Sequence, residues 1–166
     1  MLVIGIDPGT ASTGFGLVEE RPNRDLAVVE FGVIKTSAQM SMPERLAILY
    51  EGLTDLLAKH RPIEAAVEKL YFQKNVRTAI SVAQGRGVAL LALARAQVAV
   101  AEYTPLEVKQ AVAGYGAAAK GQIQQMVRTL LQLDEIPKPD DAADALAIAI
   151  CHLSSMRTRT LYREAG

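Results

Sequence analysis

Apolar positions follow two rhythms along this chain. The run Leu2-Val3-Ile4-Gly5-Ile6 is short and continuous, as in a strand covered on both faces, and it ends at Asp7. Pro8-Gly9-Thr10 turns the chain into a second strand around residues 13–20, and a polar turn at 21–25 returns it through a third over 26–34. Three such strands predict an antiparallel meander. The rhythm then becomes helical: after Pro43, Leu46, Leu49, Leu53, Leu56 and Leu57 recur on one face up to His60, and Arg61-Pro62 stops the helix. A short strand over 65–68 follows, then a loop through Tyr71-Phe72-Gln73-Lys74 with Asn75 as N-cap, and a long helix over 76–97 in which Ala79, Ala83, Gly85, Gly87 and Ala89 line up small residues. Residues 98–101 read as a fifth strand, and Tyr103-Thr104-Pro105 opens a short helix to Ala113. After the break at Gly114-Tyr115-Gly116 come helices over 121–131 and, beyond Pro137-Lys138-Pro139, from Asp140 to about Ser154. The pattern predicts an α/β fold, a mixed five-stranded sheet flanked by helices, with one domain over 1–156 and a flexible tail over 157–166.

Four carboxylates break this apolar pattern at its edges. Asp7 ends the first strand on the face of Val3 and Gly5, Glu68 ends Ala65-Ala66-Val67, and Asp141 and Asp144 lie in an Ala-rich helix start. Taking an ionised carboxylate out of water unpaired costs several kcal/mol, so acids in such places need cations, strong donors or a metal. Positions i and i+3 are about 60° apart around a helix, which points Asp141 and Asp144 the same way at the end where the helix dipole favours negative charge. Asp140 reads as the N-cap of the same helix. Magnesium prefers oxygen ligands and shares its shell between a few carboxylates, waters and phosphates, so acids that converge from distant segments suggest phosphate chemistry. Each acid taken alone is equally readable as a solvated strand end or a helix cap.

Composition narrows the class. The chain has 166 residues, half of them apolar, enough for one core. Its longest low-polarity stretches fall far short of the roughly 20 residues of a membrane span, no secretory signal is visible, and the single Cys151 allows neither an intrachain disulfide nor a thiolate zinc site. A reducing cytoplasm is expected. Net charge is zero, yet residues 69–133 carry eight bases against two acids, among them Lys74, Arg77, Arg86, Lys109 and Lys120. A polyanion docked there meets a favourable field while the acids before and after it hold metal, although a basic surface also serves solubility. His60 reads as a helix C-terminal cation, His152 as a helix-surface residue, and Cys151 as core packing.

These residues carry a family resemblance. Ile-Gly-Ile-Asp-Pro-Gly-Thr at 4–10, Ala-Val-Glu-Lys at 66–69, Lys-Asn at 74–75, Gln-Gly-Arg-Gly at 84–87, Glu-Tyr-Thr-Pro at 102–105, Val-Lys-Gln at 108–110 and Asp-Ala-Ala-Asp-Ala-Leu-Ala at 141–147 resemble, in unbroken order over nearly the whole chain, the bacterial RuvC-type Holliday junction resolvases. The resemblance implies a ribonuclease-H-like fold, a homodimer, and magnesium-dependent paired nicking of four-way DNA junctions, with a branch-migration helicase complex as partner. It places Asp7, Glu68, Asp141 and Asp144 in the catalytic tetrad, Lys109 and Lys120 among basic residues near the active site, and Tyr71, or its neighbour Phe72, where an aromatic stacks at the junction. Some members carry His where Asp141 stands.

The expected chemistry is phosphodiester hydrolysis by a water activated between two ions, Mg²⁺ or substituting Mn²⁺, with Asp7 as bridging ligand. Lys120 would steady transition-state charge, while Lys74, Arg77, Arg86 and Lys109 would contact phosphates without reading sequence. The helix over 76–97 is the expected dimer face, and packing against the chain's own sheet is the alternative use of its small residues. Three rivals stand beside this reading: an actin-like ATPase or sugar kinase, suggested by Asp7-Pro8-Gly9-Thr10 and Gly14; a non-catalytic junction-binding module; and a ribonuclease-H-like nuclease acting on RNA.

Overall fold

The structure is a computed structural model that describes the backbone of residues 1–69 and 76–164 and the side chains of 1–69 and 79–159. Its elements run β1 (Leu2–Asp7), β2 (Ser12–Glu20), β3 (Leu26–Lys35), α1 (Met42–His60), β4 (Glu64–Glu68), α2 (Val76–Arg95), β5 (Ala99–Tyr103), α3 (Pro105–Ala113), α4 (Lys120–Leu130) and α5 (Asp140–Glu164). One sheet has the order β3-β2-β1-β4-β5. The meander pairs antiparallel, while β4 lies parallel to β1 and β5 parallel to β4. The expected mixed five-stranded sheet is therefore observed.

Alternation along the strands divides the core in two. Ile4, Ile6, Phe15, Leu17, Ala65 and Val67 face Leu53 and Leu57 of α1 and Ala89, Ala92 and Leu93 of α2. Val3, Val18, Ala66 and Tyr103 face α5, with α3 and α4 packed outside through Val108, Val112, Ile123 and Val127. Burying a Val, Leu or Ile side chain stabilises by about 1.5–3 kcal/mol, so each layer is tied firmly to the sheet.

Glycines decide how close α5 comes. Gly5 pairs with Gly16, and Asp7 pairs with Gly14. A Cβ on Gly5 would lie 2.1 Å from the Ala145 carbonyl oxygen, and one on Gly14 would lie 2.0 Å from that of Asp141. Real side chains never approach so near, so the helix backbone rests directly on the sheet. This seat brings the first turn of α5 to the end of β1.

Caps set the remaining boundaries. Thr104 and Glu107 form a reciprocal capping box at α3, which ends on Gly114 in the left-handed region, and Arg61 closes α1 in the same conformation. α5 continues to Glu164 rather than ending near Ser154, because no Gly or Pro interrupts it and Arg157 is anchored to Glu20 at 2.6 Å. Asp140 is the first helical residue and not the expected N-cap; its carboxylate accepts from Gln124 and Lys120 of α4. Among the described residues, no helix is long and apolar enough to cross a membrane.

Candidate active site

Sheet topology places two of the acids side by side. Because β1 and β4 are parallel neighbours with Ile6 opposite Val67, Asp7 and Glu68 emerge at the same edge of the sheet. Strand ends of this kind, next to a helix start, are where α/β sheets build sites. α5 supplies the rest: single carboxylate oxygens of Asp7, Asp141 and Asp144 lie within 4.8 Å of one another. Glu68 lines the same cavity, of about 290 Å³, with Asp7 and Asp144 on its walls and Lys109 and Lys120 among its cations. Pro105, Val108, Ile123, Ala147 and Ile148 give it an apolar floor.

The acids perturb one another. Burial, then the charges of Glu68, Asp144 and Asp141, push the Asp7 carboxyl up to about 7, with Lys120 opposing. Burial and Asp144 raise Glu68, and burial also raises Asp144, against the pull of Lys120. Lys120 Nζ stands 3.1 Å from Asp144 Oδ2 and 3.2 Å from Asp140 Oδ2. Burial pulls its pKa down, but the hydrogen bonds to those two carboxylates outweigh this and hold it above the ordinary lysine value. Like-charged oxygens crowded to this degree, all hard donors and facing one cavity, fit a divalent cation site of carboxylate and water ligands.

The loop after Asp7 is fastened on several sides. Thr13 Oγ1 donates to the Gly9 carbonyl at 2.6 Å, the Thr10 hydroxyl hydrogen-bonds Ser81 of α2, and Thr36 Oγ1 donates to the Thr10 carbonyl while accepting from Arg45 Nε at 2.8 Å. Gly85 of α2 packs on Gly9, where a Cβ would meet the carbonyl carbon at 3.1 Å. The main chain that carries Asp7 is thus held by α1 and α2 as well as by its own strand.

Two residues make contacts the sequence did not reveal. Arg86, expected on phosphate, places Nη2 2.6 Å from Glu102 Oε2 and donates from Nε to the Glu68 carbonyl at 3.3 Å. His152, expected on the helix surface, is buried: its Nδ1 meets the Tyr103 hydroxyl at 2.9 Å and its Nε2 meets Glu64 Oε2 at 2.8 Å. Its apolar neighbours Ile148, Ile150 and Leu153 signal a helix covered on most sides, the clue that the single polar residue obscures. Cys151 is buried, and burial raises its thiol to about 11. Tyr71, Phe72 and Lys74 lie outside the described residues, as does the side chain of Arg77.

A mixed sheet of this order, with carboxylates from two adjacent strand ends and a helix start meeting in one cavity, defines a ribonuclease-H-like nuclease. The family model for crossover junction endodeoxyribonuclease RuvC matches residues 3–152, and the chain belongs to that family. It is 58% identical over 156 residues to the crossover junction endodeoxyribonuclease RuvC of Desulfitobacterium hafniense, covering 94% of each chain. With the enzyme of the same description from Chloroflexus aurantiacus it shares 59% identity over 152 residues, covering 92% of each. Among solved structures, Thermus thermophilus RuvC in complex with a Holliday junction substrate superposes with a TM-score of 0.91 at 39% identity, covering 96% of this chain and 97% of that one.

Proposed function

We propose that this chain resolves four-way DNA junctions by paired, symmetric nicks through two-metal-ion phosphodiester hydrolysis, in homologous recombination and repair. The observation that carries the reading is the convergence of Asp7, Asp141 and Asp144 within 4.8 Å, in a chain of the crossover junction endodeoxyribonuclease family. Residues 1–156 act as one nuclease domain; the expected flexible tail does not begin at 157, since α5 continues to Glu164 and Arg157 is held by Glu20.

Asp7, Glu68, Asp141 and Asp144 would hold two Mg²⁺ ions, with Mn²⁺ as a substitute. When bound, such ions supply an activated water and neutralise charge on the leaving oxygen. The protein's own groups do the rest. Asp7 keeps its carboxylate central because β1, the Thr10 contacts and Gly14 fix the backbone around it. Lys120 holds Asp144 and directs a cation into the cavity where phosphate charge builds up, and Lys109, which also lines the cavity, adds a second. The apolar floor excludes bulk water and strengthens both effects.

Junction selectivity follows from symmetry. A C2 dimer with two identical sites matches the approximate two-fold symmetry of a four-way junction. Ile80, Gly87 and Leu91 lie exposed along one side of α2 with Gln84 among them, and Gly87 leaves room for a second copy to approach. Lys74, Arg77 and Lys109 contact phosphates, and Tyr71 or Phe72 stacks on a base at the crossover, worth about 1–3 kcal/mol. The setting is the cytoplasm, where a branch-migration helicase complex delivers the junction.

One assay tests the reading. A four-way DNA junction, a linear duplex and an RNA–DNA hybrid are incubated with protein and magnesium, and the products sized. Symmetric nicks in the junction alone are expected; preferential cutting of the hybrid, or binding without cutting, would replace this reading with one of its rivals. Glu68→Gln is expected to bind the junction and leave it intact.

A further inference from the structure

We propose that Arg86 is a positioning residue that sets the carboxylate of Glu68, and that Glu102 acts with it, rather than Arg86 being a DNA phosphate contact. The inference rests on the metal-holding role of Glu68 proposed above. Glu68 is the last residue of β4, and the register with β1 ends one pair earlier, at Ile6 and Val67. On its other side the strand is still held, since Glu68 pairs with Tyr103 and the Lys69 N–H donates to the Tyr103 carbonyl at 2.7 Å. The end of β4 therefore has sheet support on one side only.

Arg86 supplies the second hold. It reaches from α2, donates from Nε to the Glu68 carbonyl at 3.3 Å, and anchors its other arm on Glu102 of β5 at 2.6 Å. Its side chain is only 18% exposed, against 52% for Lys120. The guanidinium fork has fixed geometry, so one group can bind a carboxylate and a carbonyl at once and thereby join α2, β4 and β5. Two of its five N–H donors are committed within the protein and its charge is already paired with a carboxylate, which weakens its attraction for a phosphate. Arg86 and Glu102 do not line the cavity, whereas Glu68 does, so both act through Glu68. Partners that orient metal ligands in this way change metal affinity or activity by about 10- to 100-fold when removed.

Charge logic separates this role from DNA contact. If Arg86 held phosphate, neutralising Glu102 would leave binding equal or tighter; if Arg86 positions Glu68, neutralising Glu102 reproduces the Arg86 defect. Arg86→Gln, Arg86→Lys, Glu102→Gln and the Arg86→Gln/Glu102→Gln double variant of the full chain are compared by single-turnover nicking of a four-way junction over a series of magnesium and manganese concentrations. Binding is measured in calcium at several salt concentrations, and thermal unfolding is followed for each. We expect Arg86→Gln and Glu102→Gln to slow nicking by about 10- to 100-fold, to need more metal, and to bind the junction as the parent does with the same salt dependence. The double variant should be no slower than the worse single one, and Arg86→Lys should stay defective because an ammonium lacks the fork. If Arg86→Gln folds poorly, Glu102→Gln, at a more exposed position, carries the same test.

Weakened junction binding with a shallower salt dependence in Arg86→Gln, together with normal nicking by Glu102→Gln, would overturn the proposal. Glu68→Gln run alongside separates the two failures: an active Glu68→Gln removes the metal role of Glu68 and this inference with it, whereas an inactive Glu68→Gln beside a fully active Arg86→Gln overturns the inference alone.

Discussion

Gly14 carries the backbone of Asp141: it pairs with Asp7 across the β1–β2 ladder, and any Cβ on it would fall 2.0 Å from the Asp141 carbonyl oxygen. The spacing between the strand acid and the helix acids is set by a missing methyl group. Gly14→Ala is expected to lift the first turn of α5, lower stability by about 1–3 kcal/mol or more, and abolish nicking even where the protein still folds. Gly121→Ala, a helical glycine with open space around it, should instead be neutral or stabilising by up to about 1 kcal/mol. Thermal unfolding and junction nicking of both variants check the contrast.

Asp7 links metal, protons and stability. Its folded-state pKa, about 7, lies above the ordinary 3.8, so between those values the metal-free folded state binds a proton that the unfolded chain does not. Stability without metal is therefore fully supported below about pH 4 and falls as pH rises towards 7, opposite to a salt-bridged aspartate. Asp7→Asn should flatten that slope and stabilise the metal-free protein above neutrality while eliminating cutting. Magnesium uptake by the parent should strengthen with pH through the same range and release protons, which calorimetry in buffers of different ionisation heat measures directly.

Lys120 competes with any metal for Asp144, which it meets at 3.1 Å. Lys120→Ala should lower the single-turnover rate by about 100- to 1,000-fold, as expected for losing a cation that stabilises transition-state charge. Magnesium binding in the same variant should be equal or tighter. A parallel loss of rate and metal affinity would mean that the lysine acts by organising the carboxylates.

The buried Tyr103–His152–Glu64 chain is a structural bridge between β5, α5 and β4. Tyr103→Phe removes one partner of a buried ring nitrogen and should cost about 1–3 kcal/mol. His152→Leu should also destabilise, by removing the ring nitrogens that meet the Tyr103 hydroxyl and Glu64. Nicking per folded molecule should change little in either, since neither residue lines the cavity. Denaturant unfolding beside a nicking assay at low temperature tests both statements.

The sheet was legible because its strands are plain: Leu2 to Ile6 and Ala65 to Val67 are continuous apolar runs, too short for helices and bounded by turn residues or a carboxylate, as buried strands are. The two α5 acids were legible for a similar reason, being carboxylates set among the alanines at 142–149 and just before them. What escaped were contacts with no local signature. Arg86 looked like any surface base because its partner Glu102 lies on another element, brought close only by the parallel pairing of β4 and β5. His152 looked polar and hence exposed, since its partners Tyr103 and Glu64 are distant in sequence. Asp140 has the composition of a cap, yet Lys120 and Gln124 of α4 draw its carboxylate away from the helix end.

The cavity takes Asp7 from the first strand, Glu68 from the middle of the chain and Asp144 from the last helix, which must slide onto Gly5 and Gly14 before its acids arrive. A fragment that stops before this helix lacks Asp141 and Asp144 and leaves Asp7 and Glu68 alone at the strand ends. The proposed nuclease would therefore gain its acids together only late in synthesis, once the helix has docked.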